Sequence, residues 1–137
     1  MNPRITKKEA NLIRGAIRRA FVRSEVRKNV LKRIKIVHFD IARPRVKNWS
    51  LCPNCNTITP TYCIVVDHKE PVVPLNIDAH SMSWDEYIDR MWCDESNLNP
   101  ICEDCHTIKT EKEKQIRKEF RQERKVPKVK IKKVKNK

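Results

Sequence analysis

Long apolar runs, aromatic residues and glycine are all scarce in this chain. No stretch of about 18 apolar residues exists, which excludes a membrane-spanning helix. The opening MNPRITKKEA has no apolar centre of the kind a secretory signal needs. A cytoplasmic location is the default expectation. Aromatic residues make up only 6% of the sequence. That argues against an RNA-binding surface built on stacked bases. No segment repeats internally. The 137 residues give room for one compact domain plus extensions. Such a domain buries a modest core, so a structural metal would add stability.

Positive charge, by contrast, is abundant. The formal net charge is +14. Residues 1–50 hold 15 Lys and Arg against 3 Asp and Glu, and residues 111–137 hold 13 against 4. Residues 51–110 reverse the balance, with 3 against 10. Two basic arms thus flank an acidic centre. Basic arms suit a polyanion, because neutralising phosphates releases counterions. An acidic centre fits DNA only if some of its carboxylates bind a metal.

Local signals place the elements. Thr6 to Glu9 reads T-K-K-E, a capping box that starts a helix. Ile13, Ile17, Ala20 and Phe21 recur at helical spacing, with Arg14 and Arg18 on another face. Ser24 is placed to cap a second helix, with Val26, Val30 and Ile34 on one side. Residues 1–49 are therefore expected to be a basic helical N-terminal extension packed on the central module. Within it, residues 40–50, with Pro44 and Trp49, look like a linker. Tyr62 to Val66 is a short β-prone run, and Pro71 and Pro74 limit any returning strand. Ser83 to Glu86 is another capping box, opening a helix to about Trp92. Asn97 to Pro100 is expected to be a loop. From Glu103 a helix can run to Lys125, and Pro127 stops it. Residues 126–137 alternate lysine with valine or isoleucine and are expected to be disordered alone. The functional domain is then residues 50–125.

Six cysteines occur, at 52, 55, 63, 93, 102 and 105. In a cytoplasmic chain, close pairs argue for metal rather than disulfides. Cys52-Pro-Asn-Cys55 and Cys102-Glu-Asp-Cys105 share the C-x-x-C spacing, which lets a turn aim both thiolates at one ion. Four thiolates make a closed tetrahedral zinc site. The long gap between the pairs points to a functional module inserted between two knuckles. Cys63 and Cys93 are left over and are expected to be free thiols.

Three further motifs interleave with the cysteines: Asp67-His68-x-x-Pro71, Asn97-Leu-x-Pro100 and Cys105-His106-x-x-Lys109-Thr110. In this order they resemble the HNH endonuclease family, particularly its small phage and bacterial members, over roughly residues 50–113. The resemblance implies an α+β fold, a small ββα-metal module with zinc knuckles. A hairpin would carry His68, a loop Asn97 and a helix His106. It implies that Asp67 and His106 bind a catalytic divalent ion, Mg²⁺ or another. His68 would be the general base. Asn97 would hold the loop against the hairpin and fix the geometry around His68. The products would be a 5′-phosphate and a 3′-hydroxyl. The chemistry is coherent on its own terms: phosphodiester hydrolysis needs a deprotonated water and positive charge at the phosphate. Two features depart from the family. Glycines that many members carry after Asp-His are absent, since the only glycine is Gly15. A third ligand position, four residues after the last His, holds Thr110.

The expectation is thus a metal-dependent DNA endonuclease, with no membrane partner. A non-catalytic zinc-stabilised DNA-binding or inhibitory protein on the same scaffold is the alternative.

Overall fold

The computed structural model describes residues 4–125. The lysine-rich stretch 126–137 lies outside them. Helix α1 (Lys7–Val22) opens on the Thr6 capping box: Thr6 accepts from the Glu9 amide and Glu9 reaches back to the Thr6 amide. Helix α2 (Glu25–Arg33) is capped by the Ser24 hydroxyl. A two-residue strand β1 (Lys35–Ile36) pairs antiparallel with β2 (Trp49–Leu51), and β2 with β3 (Ile58–Pro60). Strand β4 (Ile64–His68) pairs antiparallel with β5 (Leu98–Cys102). Helix α3 (Trp84–Met91), capped by Ser83, lies in the connection between them. Helix α4 (Glu103–Lys125) follows β5 directly.

The fold is therefore a small α+β assembly of four helices and two small sheets among the described residues. Two apolar clusters hold it together. One joins Phe21 and Val30 to Met82, Tyr87, Met91 and Leu98. The other gathers Cys52, Ile64, Ile101, Cys102 and Cys105, with Leu31 and Ile34 against it. Helix α2 serves both, through Val30 on one side and Leu31 and Ile34 on the other. The first two helices thus share a core with residues after 60 rather than resting on it from outside.

Three local expectations change. Residues 40–50 end not as a linker but in strand β2, where Trp49 is fully buried. Its indole donates to the Val46 carbonyl, and Arg43 covers its ring. Asn97 to Pro100 is not a loop throughout: Leu98, Asn99 and Pro100 belong to β5, opposite His68, Asp67 and Val66. A two-stranded sheet has two edges, so a proline lacking its N–H costs no essential ladder bond there. The buried stripe of α1 runs through Ala10, Arg14 and Phe21, while Ile13 and Ala20 are exposed. Arg14 is buried because Trp84 and Tyr87 offer it ring faces and the Ala79 carbonyl accepts from it.

The segment after β4 has no glycine, and it is held without a second strand. Arg90 of α3 donates to the carbonyls of Pro71 and Val72 at 3.1 and 2.8 Å. Arg117 of α4 donates to those of Val73 and Pro74 at 2.6 and 3.2 Å.

Candidate functional site

The first site is the cysteine cluster. The turn after β2 carries Cys52 and Cys55, with Asn56 in the left-handed region at φ 57°. Asparagine tolerates that conformation better than most residues. The end of β5 and the first turn of α4 carry Cys102 and Cys105. The four sulfurs all lie within 4.8 Å of one another. Cys52 and Cys105 sulfurs are 4.0 Å apart, and those of Cys55 and Cys102 3.7 Å. Tetrahedral zinc at the usual zinc–sulfur distance sets its sulfurs roughly 3.8 Å apart. The donor set and its spacing therefore fit one structural zinc ion. Cys102 donates its backbone N–H to the Cys52 sulfur at 3.4 Å, the kind of bond that steadies a thiolate ligand. The Thr57 hydroxyl and amide beside Cys55 hold its thiol below the ordinary range, while burial pushes Cys102 up. A bound cation removes that burial penalty by pairing with the thiolate. Cys63 and Cys93 stand apart, each half-buried and unpaired in a disulfide.

The second site lies where β4 ends. Alternation along the strand sends neighbouring side chains to opposite faces. Val66 and His68 face the first apolar cluster, whereas Asp67 between them faces α4. There the Asp67 carboxylate accepts from the Lys109 ammonium, and its other oxygen lies 3.8 Å from His106 Nε2. Lys109 also donates to the His68 carbonyl at 2.6 Å and pairs with Glu113 at 3.1 Å. Partial burial works against the Lys109 charge, but bonds to Asp67 and Glu113 more than offset it, and its pKa is raised. His106 sits within 3.5 Å of the Thr110 hydroxyl.

His68 is fixed differently. Its Nε2 lies 2.8 Å from the Met91 carbonyl, and its ring packs 5.1 Å from that of Phe21. A carbonyl only accepts, so Nε2 carries the proton in the neutral ring. Nδ1 then holds the lone pair, as a proton acceptor must.

Asn97 closes the other side of the strand end. Its Oδ1 accepts from the Glu70 amide at 2.9 Å, and its Nδ2 donates to the Glu70 carbonyl at 3.4 Å. Its own carbonyl accepts from the Lys69 amide at 2.7 Å. One asparagine thus ties down the two residues that follow His68. Asp67, His106 and Lys109 form one cluster. The His68 ring lies on the opposite face of β4, and His68 meets that cluster through its own carbonyl, which accepts from Lys109, while Asn97 holds the turn beyond it. Lys109 is the member that the sequence analysis left without a role. Its i+3 spacing from His106 on a helix was the available signal.

No helix among the described residues is long and apolar enough to cross a membrane. No protein-family model, no curated protein and no solved structure matches the chain.

Proposed function

We propose that the protein is a metal-dependent DNA endonuclease of the HNH type. The observation that carries this reading is the pairing of Asp67 with His106, 3.8 Å apart at the junction of β4 and α4. Beside it, the tautomer of His68 leaves Nδ1 as an acceptor. Asp67 and His106 offer an oxygen and a nitrogen to one cation, a donor pair that leaves most positions to water and phosphate. A divalent ion bound there supplies positive charge at the scissile phosphate and the departing oxygen. His68 takes a proton from the attacking water at Nδ1. The water oxygen bonds to phosphorus as the bond from phosphorus to the 3′ oxygen breaks, and that oxygen leaves as an alkoxide that takes a proton from solvent water to become the 3′-hydroxyl. Asn97 is a positioning residue: by tying Glu70 and Lys69 it fixes the strand end on which His68 stands.

One observation favours the alternative, a zinc-stabilised DNA-binding protein without catalysis. The Asp67 carboxylate already has a cationic partner in Lys109, as in a structural ion pair. Supercoiled plasmid separates the readings. The zinc-loaded enzyme converts it to nicked or linear product with Mg²⁺ and not when Mg²⁺ is left out. His68→Ala then keeps DNA binding and loses roughly 10²–10⁴-fold in rate. Intact plasmid under all metals leaves the binding protein as the reading, and cutting by His68→Ala at the normal rate removes His68 as the base.

A further inference from the structure

Away from both sites, α1, the 73–80 segment and α4 enclose an open cleft of about 450 Å³. Arg18 lines it from α1, and Arg117, Arg121 and Arg124 line it from α4. One carboxylate, Asp78, shares it. None of the four arginines has a carboxylate oxygen within 4 Å among the described residues. Arg117 is occupied by the carbonyls of Val73 and Pro74, and Arg124 lies over the Phe120 ring. Asp78 is engaged by the His80 amide, which holds its carboxyl below the usual range, and the charges of His80, Lys7 and Arg121 act on it in the same direction.

A second observation lies behind the wall. Arg14 is 3% exposed, yet its guanidinium meets no carboxylate. Its polar partners are Asn11 Oδ1, the Ala79 carbonyl and His80 Nδ1, and all three residues line the cleft. Arg14 Nε has no hydrogen-bond partner among the described residues. Buried charges are normally paired, because desolvation costs several kcal/mol per ion (a typical figure for proteins). A guanidinium kept inside with only neutral partners leaves a positive field on the side where the other arginines stand.

We infer that this cleft is a seat for the phosphate backbone of duplex DNA, with Arg18 and Arg121 as its principal contacts. Guanidinium groups match phosphate oxygens in pairs of parallel hydrogen bonds. The position fits a long polyanion. Lys109, Glu113, Arg117 and Arg121 recur at four-residue spacing, so each neighbours the next along a ridge that winds about 120° around α4 from end to end. From Lys109 to Arg121 the helix rises about 18 Å. A duplex following α4 from the Asp67 cluster would reach the cleft after about five base-pair steps. The inference deepens the nuclease reading, but it rests on DNA binding and not on cleavage.

The test uses the zinc-loaded full chain without added Mg²⁺ and a fluorescein-labelled 20-base-pair duplex, with affinity read by anisotropy at increasing salt. Each phosphate contact contributes about 0.9 to the slope of log affinity against log salt. The double variant Arg18→Ala/Arg121→Ala should flatten that slope by about 1.8. Lys28→Ala/Lys114→Ala removes two charges that already face Glu25 and Glu111, and should leave the slope near wild type. A wild-type slope in the cleft variant overturns the proposal, as does equal flattening by the control pair. Zinc content and thermal melting check that each variant is folded. If the double variant is not, Arg121→Gln alone should flatten the slope by about 0.9, and failure to do so overturns the proposal equally. Plasmid cleavage is scored separately. A chain that shows the flattening but never cuts loses the nuclease reading and keeps the cleft. A chain that cuts with an unchanged slope loses the cleft alone.

Discussion

Arg90 and Arg117 divide four consecutive carbonyls between them: Pro71 and Val72 go to α3, Val73 and Pro74 to α4. Two of the four residues are prolines and donate nothing to a ladder. The arginines therefore replace strand pairing with side-chain donors. Charged donors make stronger bonds than neutral ones, roughly 1.5–3 kcal/mol each net of competition with water when buried. The carbonyls are only half-buried, so water takes over part of that loss. Arg117→Ala should lower unfolding free energy by about 1–2 kcal/mol, and Arg90→Ala by a similar amount. Because they grip one segment, the double variant should lose less than the sum. Urea unfolding of the three variants checks this, and strict additivity would mean that the two arginines act independently.

The zinc reading makes the four ligands indispensable and the other thiols dispensable. Cys52 and Cys105 are buried within the second apolar cluster, so losing the ion leaves polar sulfurs inside a small core. Elemental analysis should find about one zinc per chain. Chelation, or Cys105→Ser, should abolish the cooperative melt, as metal binding in small domains is folding energy. Cys63→Ser should change stability by less than about 0.5 kcal/mol, the range of surface substitutions. A metal-free chain that melts cooperatively at the same temperature would sink the idea.

Asn97 offers a graded test, because its two bonds can be removed singly. Asn97→Asp keeps the oxygen that accepts from the Glu70 amide and loses the Nδ2 donor, whose bond is the longer one. Asn97→Ala loses both. Stability should fall by roughly 1–2 kcal/mol for alanine and by less for aspartate. Amide exchange at Lys69 and Glu70 should rise most in the alanine variant. Equal protection there in all three proteins would show that the asparagine holds nothing in place.

What could be read from the sequence was local. The caps at Thr6, Ser24 and Ser83 depend on side chains bonding amides three residues on, so spacing alone reveals them. The helix read from Glu103 onward is α4, Glu103–Lys125 among the described residues. The four cysteines met because doubled C-x-x-C spacing states its own chemistry. What escaped was non-local. Trp49 enters a strand only because β1 and β3 flank it, and a run containing Asn99 and Pro100 becomes β5 only against β4. Arg14 looked like a surface residue, since nothing near it in sequence announces Trp84, Tyr87 and Ala79. Lys109 stood in the His106 motif without a role for the same reason: its partner Asp67 lies on another element.

That contact between Lys109 and Asp67 sets the terms for the proposed metal binding. An ammonium on the carboxylate competes with a divalent ion for the same oxygen. Two unit charges about 4 Å apart interact by about 1 kcal/mol at the dielectric of water, and by more where water is excluded. Lys109→Gln should therefore tighten Mn²⁺ binding by roughly fivefold or more. Calorimetry on the zinc-loaded protein reads this without DNA. Thr110 probes the neighbouring ligand. Its hydroxyl lies 3.5 Å from His106 Nε2, one helical turn away on the same face. Thr110→His sets a second imidazole beside the first, and imidazole favours transition metals over Mg²⁺. The variant should bind Ni²⁺ at least about tenfold more tightly than wild type while gaining little for Mg²⁺. His106→Ala should cancel that gain, because one imidazole then remains in place of two. Should Lys109→Gln weaken Mn²⁺ binding, and Thr110→His leave Ni²⁺ binding unchanged, Asp67 and His106 are not metal ligands. The cluster at the end of β4 would then be a structural ion pair.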